Sequence, residues 1–458
     1  MLTLLLAPLV RRPLPWLLWA LLAAPAAHGM GLAEAHRLAL QNDATLRAAR
    51  AAADVQRERL PLAQAQLLPN VALGASRVYN DLSRTASDFL GRPQRIDEQY
   101  PSYNATLSIR QPLYRPALRA GVEQARSVVA DAEAVLAAET NRLAERVTAA
   151  YLEALLTQDQ LELVLKQQQV ALRQLDAAEK AWRAGTGIRT DIDEIQARLD
   201  LLRADELRAR QAQDMARRQL ENLTGVSASA LWPLAPERLV LEPPQPSTLA
   251  EWQAAAQANS PELAALRARR DAARLEIERA RAGHLPTLDA VAQITRSASE
   301  NVTTPSSSYT NRLIGLQLNV PLYAGGAVDA SVRQAVAELT RVEETLEATR
   351  RDLGLRVHRE FRAVTEGVAR IRALEQALRS ADQVVTANRR SYEAGTRTVL
   401  DVLNAEQQRQ SVLRDLAQAR YEYLLARVRL VSLAGSDVQA EIAAIDAALA
   451  GQGGGPTN

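Results

Sequence analysis

Thr106-Leu107-Ser108-Ile109-Arg110-Gln111-Pro112-Leu113-Tyr114 decides how this chain folds, because it returns 209 positions later as Gly315-Leu316-Gln317-Leu318-Asn319-Val320-Pro321-Leu322-Tyr323. In both stretches apolar and polar residues alternate, the period-2 pattern of a strand with one apolar and one polar face. Tyr103, Ala105, Leu107 and Ile109 form one face of the first; Ile314, Leu316, Leu318 and Val320 form one face of the second. Their partners are 71–80 and 288–296, where Leu288, Ala290, Ala292 and Ile294 share a side. Strands of about ten residues with this division fit a membrane-spanning barrel. A half-buried hairpin of a water-soluble protein carries the same pattern, so the context has to separate the two. Two hairpins cannot close their own edges, and open edges do not exist in lipid. Closure therefore requires several protomers to contribute strands to one barrel. Tyr114 and Tyr323, at the strand ends, suit an interfacial aromatic belt.

The recurrence extends over the whole chain, a tandem duplication. Leu32-Ala33-Glu34 returns as Leu249-Ala250-Glu251 and Leu68-Pro69-Asn70 as Leu285-Pro286-Thr287, both shifted by 217. Beyond the strands the shift settles at 210, relating Leu136, Leu143, Val147 and Tyr151 to Leu346, Leu353, Val357 and Phe361, and Ala184-Gly185-Thr186 to Ala394-Gly395-Thr396. The drop from 217 to 209 places a loop about eight residues longer in the first copy, between Asn70 and Gln111. Proline is absent from 117–232 and from 322–455, and each block has one internal break, at 185–187 or at Gly395. The 67-residue segments before the breaks, 117–183 and 327–393, would be helices about 100 Å long at 1.5 Å per residue. Shorter helices are expected at 188–223 and 398–433 after the breaks, and at 33–67 and 250–283 before the strands. Two short helices end to end match one long one, so each copy supplies an antiparallel coiled pair; Leu136, Leu143, Val147, Tyr151 and Leu155 give its seam.

The chain thus divides into a signal peptide at 1–29, a first repeat at 30–225, a Pro-rich equatorial connector at 226–248, a second repeat at 249–435, and a C-terminal segment at 436–458 with a disordered tail. The signal peptide rests on Arg11 and Arg12 before the apolar run 14–24 and the small residues that follow, a run shorter than the ~20 residues of a spanning helix. Lys plus Arg number 55 against 53 for Asp plus Glu, no excess with which to hold nucleic acid. Cysteine is absent, which excludes disulfides, thiolate metal sites and a lipid-bearing N-terminal Cys. Four scattered histidines lack ligand spacing, and no nucleophile or acid–base pair stands out. No cofactor, metal or catalytic residue is expected.

The order helix, Leu-Pro, strand pair, Pro-Leu-Tyr, long helix, Ala-Gly-Thr and helix, given twice after a signal peptide, resembles the TolC family of outer-membrane efflux proteins over residues 31–445. The most specific matches are Gly283-His284-Leu285-Pro286-Thr287-Leu288-Asp289, Pro321-Leu322-Tyr323-Ala324-Gly325-Gly326, and Gly395-Thr396-Arg397-Thr398 followed by Asp401-Val402-Leu403. The resemblance implies a mainly α fold with a membrane β-barrel: a homotrimer whose four strands per protomer make one 12-stranded barrel in outer-membrane lipid, continued by an α-barrel of long coiled helices across the periplasm. It implies a passive exit duct for type I protein secretion or multidrug efflux, joined through a periplasmic adaptor to an inner-membrane ABC or RND transporter. The lack of a lipid-bearing Cys favours the general or protein-secreting branch. By the same resemblance the helix turns form a closed periplasmic gate of Thr190, Asp191, Tyr392, Arg397 and Asp401, with Tyr392 and Arg397 bridging to Asp191 and Thr190 and Asp401 forming an acidic constriction. Where the family can carry a second acidic ring this chain has Asn404, and the first copy has Glu194 in the matching place. The competing readings are a periplasmic adaptor, which has one helical hairpin and not two, and a coiled-coil scaffold, which leaves the alternating segments unexplained.

Overall fold

In a computed structural model, which describes residues 29–87, 89–228, 230–299 and 306–449, the strands gather at one end of a bundle of long helices. The chain runs α1 (Leu32–Asn42), α2 (Ala44–Arg57), α3 (Arg59–Ala65), β1 (Asn70–Ser87), β2 (Pro93–Tyr114), α4 (Pro116–Arg183) and α5 (Arg189–Thr224). It then repeats as α6 (Leu249–Asn259), α7 (Pro261–Arg281), β3 (Thr287–Ala298), β4 (Ser308–Asn319), α8 (Ala327–Glu393) and α9 (Val399–Leu433), and ends in α10 (Val438–Ala447). The expected signal peptide, Gly29 apart, and the expected disordered tail lie outside the described residues.

The long helices stand as expected, with α4 68 and α8 67 residues long. The opening helices do not. Each is broken, and the sequence supplies the reasons. Pro261 disfavours the helical conformation at Ser260, which sits at ψ 122° and caps the break between α6 and α7. Asp43 holds the matching break at ψ 121°, its carboxylate accepting the Leu46 N–H at 2.7 Å. Pro61 has no N–H to offer the Arg57 carbonyl, and the helix is interrupted at Glu58.

The main helix pairs are antiparallel. Arg217 and Glu206 of α5 meet Gln158 and Gln168 of α4, at 3.5 Å and 2.7 Å. Toward the sheet α7 takes over that role, with Arg269 on Asp131 at 2.9 Å and Gln124 on Glu276 at 2.8 Å. In the second coil Arg370 and Arg420 join α8 to α9 through Glu422 and Glu375, at 3.0 Å and 2.9 Å. The core is thickest at mid-height, where Leu143, Val147, Tyr151 and Leu155 are wholly buried with Val357 and Ile371. The Tyr151 hydroxyl reaches the Met30 and Trp232 carbonyls at 3.0 Å and 3.2 Å, and burial pushes its pKa up so that it stays a donor. The C-terminal segment folds back on the first copy. Asp446 of α10 accepts the Leu32 N–H at 2.7 Å, capping α1, and Leu449 pairs with Leu234 of the connector.

The sheet has the order β1-β2-β3-β4, all antiparallel, so the two hairpins join through β2 and β3 and leave β1 and β4 as free edges. One face carries Leu73, Leu107, Ile109, Ile294, Ile314 and Leu316, all exposed. The other is polar and internally bonded: Asn80 to Ser102 at 2.9 Å, Thr106 to Thr295 at 3.2 Å, and Arg110 and Arg115 both on the buried Asp289 at 2.6 Å. The extra residues of the first copy are not a loop. They lengthen the strands, each residue from Thr85 to Ser87 pairing across to Arg95, Gln94 and Pro93, because paired backbone satisfies its own hydrogen bonds. Tyr114 closes β2 opposite Leu288, and Tyr323 lies just beyond β4; both are exposed.

The breaks between the opening helices meet the ends of α5 and α9 in the same way in both copies. Gly225 and Gly435 end those helices at φ 72° and 66°. A β-carbon on Gly435 would lie 2.4 Å from the Asn259 carbonyl oxygen, and one on Gly225 would lie 3.0 Å from Asn42. Gly435→Ala should therefore lower stability by about 1–3 kcal/mol through backbone strain alone, with the forced shift at Asn259 adding to it. Thermal unfolding followed by circular dichroism checks this, and an unchanged midpoint would show that the contact relaxes freely.

Candidate gate at the helix tips

The two helical hairpins turn at the end of the molecule farthest from the sheet. Gly185 and Gly395 take the left-handed conformation that stops α4 and α8, at φ 76° and 74°, and the Thr186 and Thr396 N–H groups return to the Ala181 and Ser391 carbonyls at 2.9 Å. Up to this point the copies are alike.

They diverge at the next helix starts. Thr398 caps α9: its hydroxyl accepts the Asp401 N–H at 3.3 Å, while Asp401 accepts the Thr398 N–H at 3.0 Å, a reciprocal capping box. The Thr398 N–H first, and next the Thr398 hydroxyl, which also donates to the same carboxylate oxygen at 3.0 Å, hold the Asp401 carboxyl below its ordinary pKa, with Arg397 adding to the effect. In the first copy the position of Thr398 is Ile188, which has no oxygen to offer, and α5 starts without a side-chain cap. Asp191, the counterpart of Asp401, is thus free to bond elsewhere. It accepts the Tyr392 hydroxyl at 3.2 Å, tying the second coil to the first. Burial, and then the Asp191 charge, push the Tyr392 pKa up and keep the donor proton in place. Tyr392 in turn stands where the first copy has Trp182, which has no hydroxyl.

The remaining candidate residues are placed as follows. Arg397 Nη1 lies 3.6 Å from Asp401 Oδ1, one helical turn away in its own chain, and both side chains are exposed to solvent. Thr190, Glu194 and Asn404 are exposed on the outer turns of α5 and α9. Just behind the tip lies a set of links that the sequence reading passed over. Glu406 of α9 accepts from Arg389 of α8 at 2.5 Å and from Gln174 of α4 at 3.1 Å, joining three helices and both coils. Arg409 pairs with Asp382 one step further up. Residues nearly equidistant from Gly395 face each other across an antiparallel hairpin, so the opposite charges at 382 and 409 were the available signal. These five residues border a cavity of about 310 Å³ between α4, α5, α8 and α9. Higher up, Tyr421 donates to Asp159 of α4 at 2.6 Å, a further bond between the coils. Nothing here is arranged for bond chemistry. Among the described residues no group of His, Cys, Asp and Glu is placed to hold a metal ion.

The outer membrane efflux protein family is matched twice, by residues 35–226 and 252–436. The alkaline protease secretion protein AprF of Pseudomonas aeruginosa is 36% identical over 438 residues, covering 93% of this chain and 89% of that protein. The proteases secretion protein PrtF of Dickeya chrysanthemi is 35% identical, covering 91% of this chain and 90% of its own. Among solved structures, the outer membrane protein VceC of Vibrio cholerae superposes with a TM-score of 0.75 at 21% identity, over 88% of this chain and 96% of that one.

The cap and the inter-coil bond are separable by mutation. Thr398→Ala should cost about 0.5–2 kcal/mol of local helix stability and speed amide exchange over 399–402, leaving the Tyr392–Asp191 bond in place. Because the folded-state pKa of Asp401 is depressed, its contribution is present above the ordinary carboxyl value and is lost as pH falls through the lower folded value. Protection factors at 399–402 should therefore hold from pH 7 down to about pH 4 and fall only below that; loss already near pH 6 would rule the carboxylate out as the cap.

Proposed function

We propose, from the premise that this chain belongs to the outer membrane efflux protein family, that three copies form the gated exit duct of a tripartite export system. The chain is an outer-membrane channel with a helical tunnel in the periplasm, a passive conduit and not an enzyme, and the adaptor and scaffold readings fall with that membership. Four strands per protomer would make a 12-stranded barrel, with Tyr114 and Tyr323 at the lipid boundary. Residues 30–225 and 249–435 act as the two structural repeats, joined at the equator by 226–248. A periplasmic adaptor and an inner-membrane transporter of the ABC or RND type would engage the far end of the tunnel. AprF and PrtF carry protease secretion in their names, which supports protein export by an ABC-driven type I route as the first reading of the cargo.

The observation that carries the gate is the Tyr392–Asp191 bond between the coils. Such exposed links contribute about 0–1 kcal/mol each, so a few of them, repeated by symmetry, hold the tip closed yet leave it within reach of a partner's binding energy. Arg397, held by Asp401 of its own chain, would act toward Thr190 or a neighbouring protomer only after leaving that pair, which makes Tyr392 the better probe. Asp401, repeated by symmetry, would ring the constriction with Asn404 beside it.

Tyr392→Phe with Asp191→Asn should raise single-channel conductance in planar bilayers several-fold over the parent; equal conductance in a correctly assembled oligomer would remove this bond from the gate. Asp401→Ala should weaken block by multivalent cations added from the periplasmic side. Block of undiminished affinity would place Asp401 outside the constriction.

A further inference from the structure

The apolar face of the sheet is bracketed by tyrosines. On β2, Tyr114 stands opposite Leu288 at the helix end, and Tyr103 stands on the same face eleven residues away, opposite Ala298. At ~3.4 Å per residue and a strand tilt of ~40°, this separation covers about 28 Å of the membrane normal, close to the ~25 Å of an apolar band between two aromatic girdles. Within that span the face carries no charge except three arginines near its far end. Arg77 lies opposite Tyr103, in the row where β3 and β4 end at Ala298 and Ser308. Arg296 lies opposite Ala105, and Arg312 opposite Ile294, one and two steps nearer the helices. All three are exposed.

We propose that Arg77, Arg296 and Arg312 form a site for the phosphate groups of a lipid headgroup in the membrane leaflet farther from the helices. The lipid's acyl chains would lie along the apolar face and its phosphates at the level of Tyr103. The proposal rests on the reading of the sheet as part of a lipid-facing barrel, and it adds to that reading a class of partner and the side chains that hold it.

Three features of the chain support this site. The first is that its cations have no partner at home. Arg126 and Arg218, exposed on helices, each hold an acid of their own helix, Glu123 at 2.8 Å and Asp214 at 3.0 Å. Arg77, Arg296 and Arg312 make no ion pair or hydrogen bond within the chain among the described residues. The acids of the same face, Asp81 and Asp97, lie beyond the tyrosine row and are engaged there, by Gln99 at 3.3 Å and by Arg95 at 3.1 Å. The second is spacing. Arg296 is opposite Thr310 and Arg312 is opposite Ile294, so the two arginines are diagonal neighbours on one face. Side chains of this length meet across a diagonal, and like charges there repel. A phosphate between them replaces that repulsion with two charge-assisted contacts, in the fork geometry that suits guanidinium. The third is depth. A guanidinium in hydrocarbon is unfavourable, and less so toward the interface. The long stems lie along the apolar face and lift the charged heads toward the Tyr103 row, where phosphate resides. At the opposite boundary, beside Tyr114, Leu288 and Leu318, the same face carries no charge, so the site belongs to one leaflet.

The test offers two probes to the oligomer purified in mild detergent, lipid A bearing both phosphates and the same lipid with its phosphates removed, and counts the retained lipid by native mass spectrometry. The parent should retain the phosphorylated probe about tenfold better than the other. Arg77→Gln combined with Arg296→Gln and Arg312→Gln should reduce that preference about fivefold, and Arg126→Gln should leave it unchanged. Equal retention of the two probes by the assembled parent, or an undiminished preference in the triple variant, would overturn the site and leave the barrel standing. Displacement of the lipid by millimolar inorganic phosphate would mark a free-anion site and overturn the lipid as its occupant. Should the triple variant not assemble, Arg296→Gln alone decides: a loss of about threefold supports the site, and no loss overturns it. A parent chain that forms no heat-labile oligomer in the outer membrane would instead remove the barrel reading, and the site with it.

Discussion

Every backbone N–H and C=O that enters a bilayer needs a partner there, because hydrocarbon supplies none. That requirement governs the sheet at the membrane end of this chain. Four strands satisfy one another along three ladders and leave a donor–acceptor row on each outer edge. Their outer face is apolar and exposed, while their inner face carries its own polar bonds, from Asn80–Ser102 to the Asp289 cluster with Arg110 and Arg115. A single copy cannot curl four strands into a closed cylinder, so in the proposed duct neighbouring copies would satisfy those edges. The helices follow from the strands: α4 and α8 extend away from the sheet, and each runs antiparallel to its partner, so the chain carries two helical coils.

Duplication builds the wall cheaply, and divergence makes it a device. The copies share their turn glycines, their helix lengths and their hairpin register. They differ where Ile188 replaces the capping Thr398 and where Trp182 replaces Tyr392. Loss of the cap oxygen in one copy releases Asp191; gain of a hydroxyl in the other gives it a donor. A bond across the coils thus arises from two small asymmetries, neither of which disturbs the helices. Glu406, Arg389 and Gln174 add a second tier behind it.

The fold was legible where a single period runs unbroken. Alternation in 103–110 and 314–320 marked the strands, and proline-free blocks marked α4 and α8 to within a residue. It was less legible where the backbone changes course. The break at Asp43 carries no proline, only a short side chain able to cap, and Pro61 and Pro261 sat inside stretches that otherwise read as helix. The longer first hairpin was legible as extra length but not as strand, since 81–97 is polar on both faces and period alone does not separate strand from loop there. At the tip, the sequence placed the turns at Gly185 and Gly395, where the structure has them. The Tyr392–Asp191 bond follows from what Ile188 lacks, which is visible only once the two copies are aligned position by position. The Glu406 links depend on three helices meeting, and no local pattern encodes that.

The most direct test is the mass of the intact assembly. Protein extracted from the outer membrane in mild detergent and measured by native mass spectrometry should show one species of three chains, stable until the sheet is unfolded. A monomer as the main species, with its strands protected from exchange all the same, would mean that the two free edges are satisfied in some other way and that one copy does not depend on its neighbours to span the membrane.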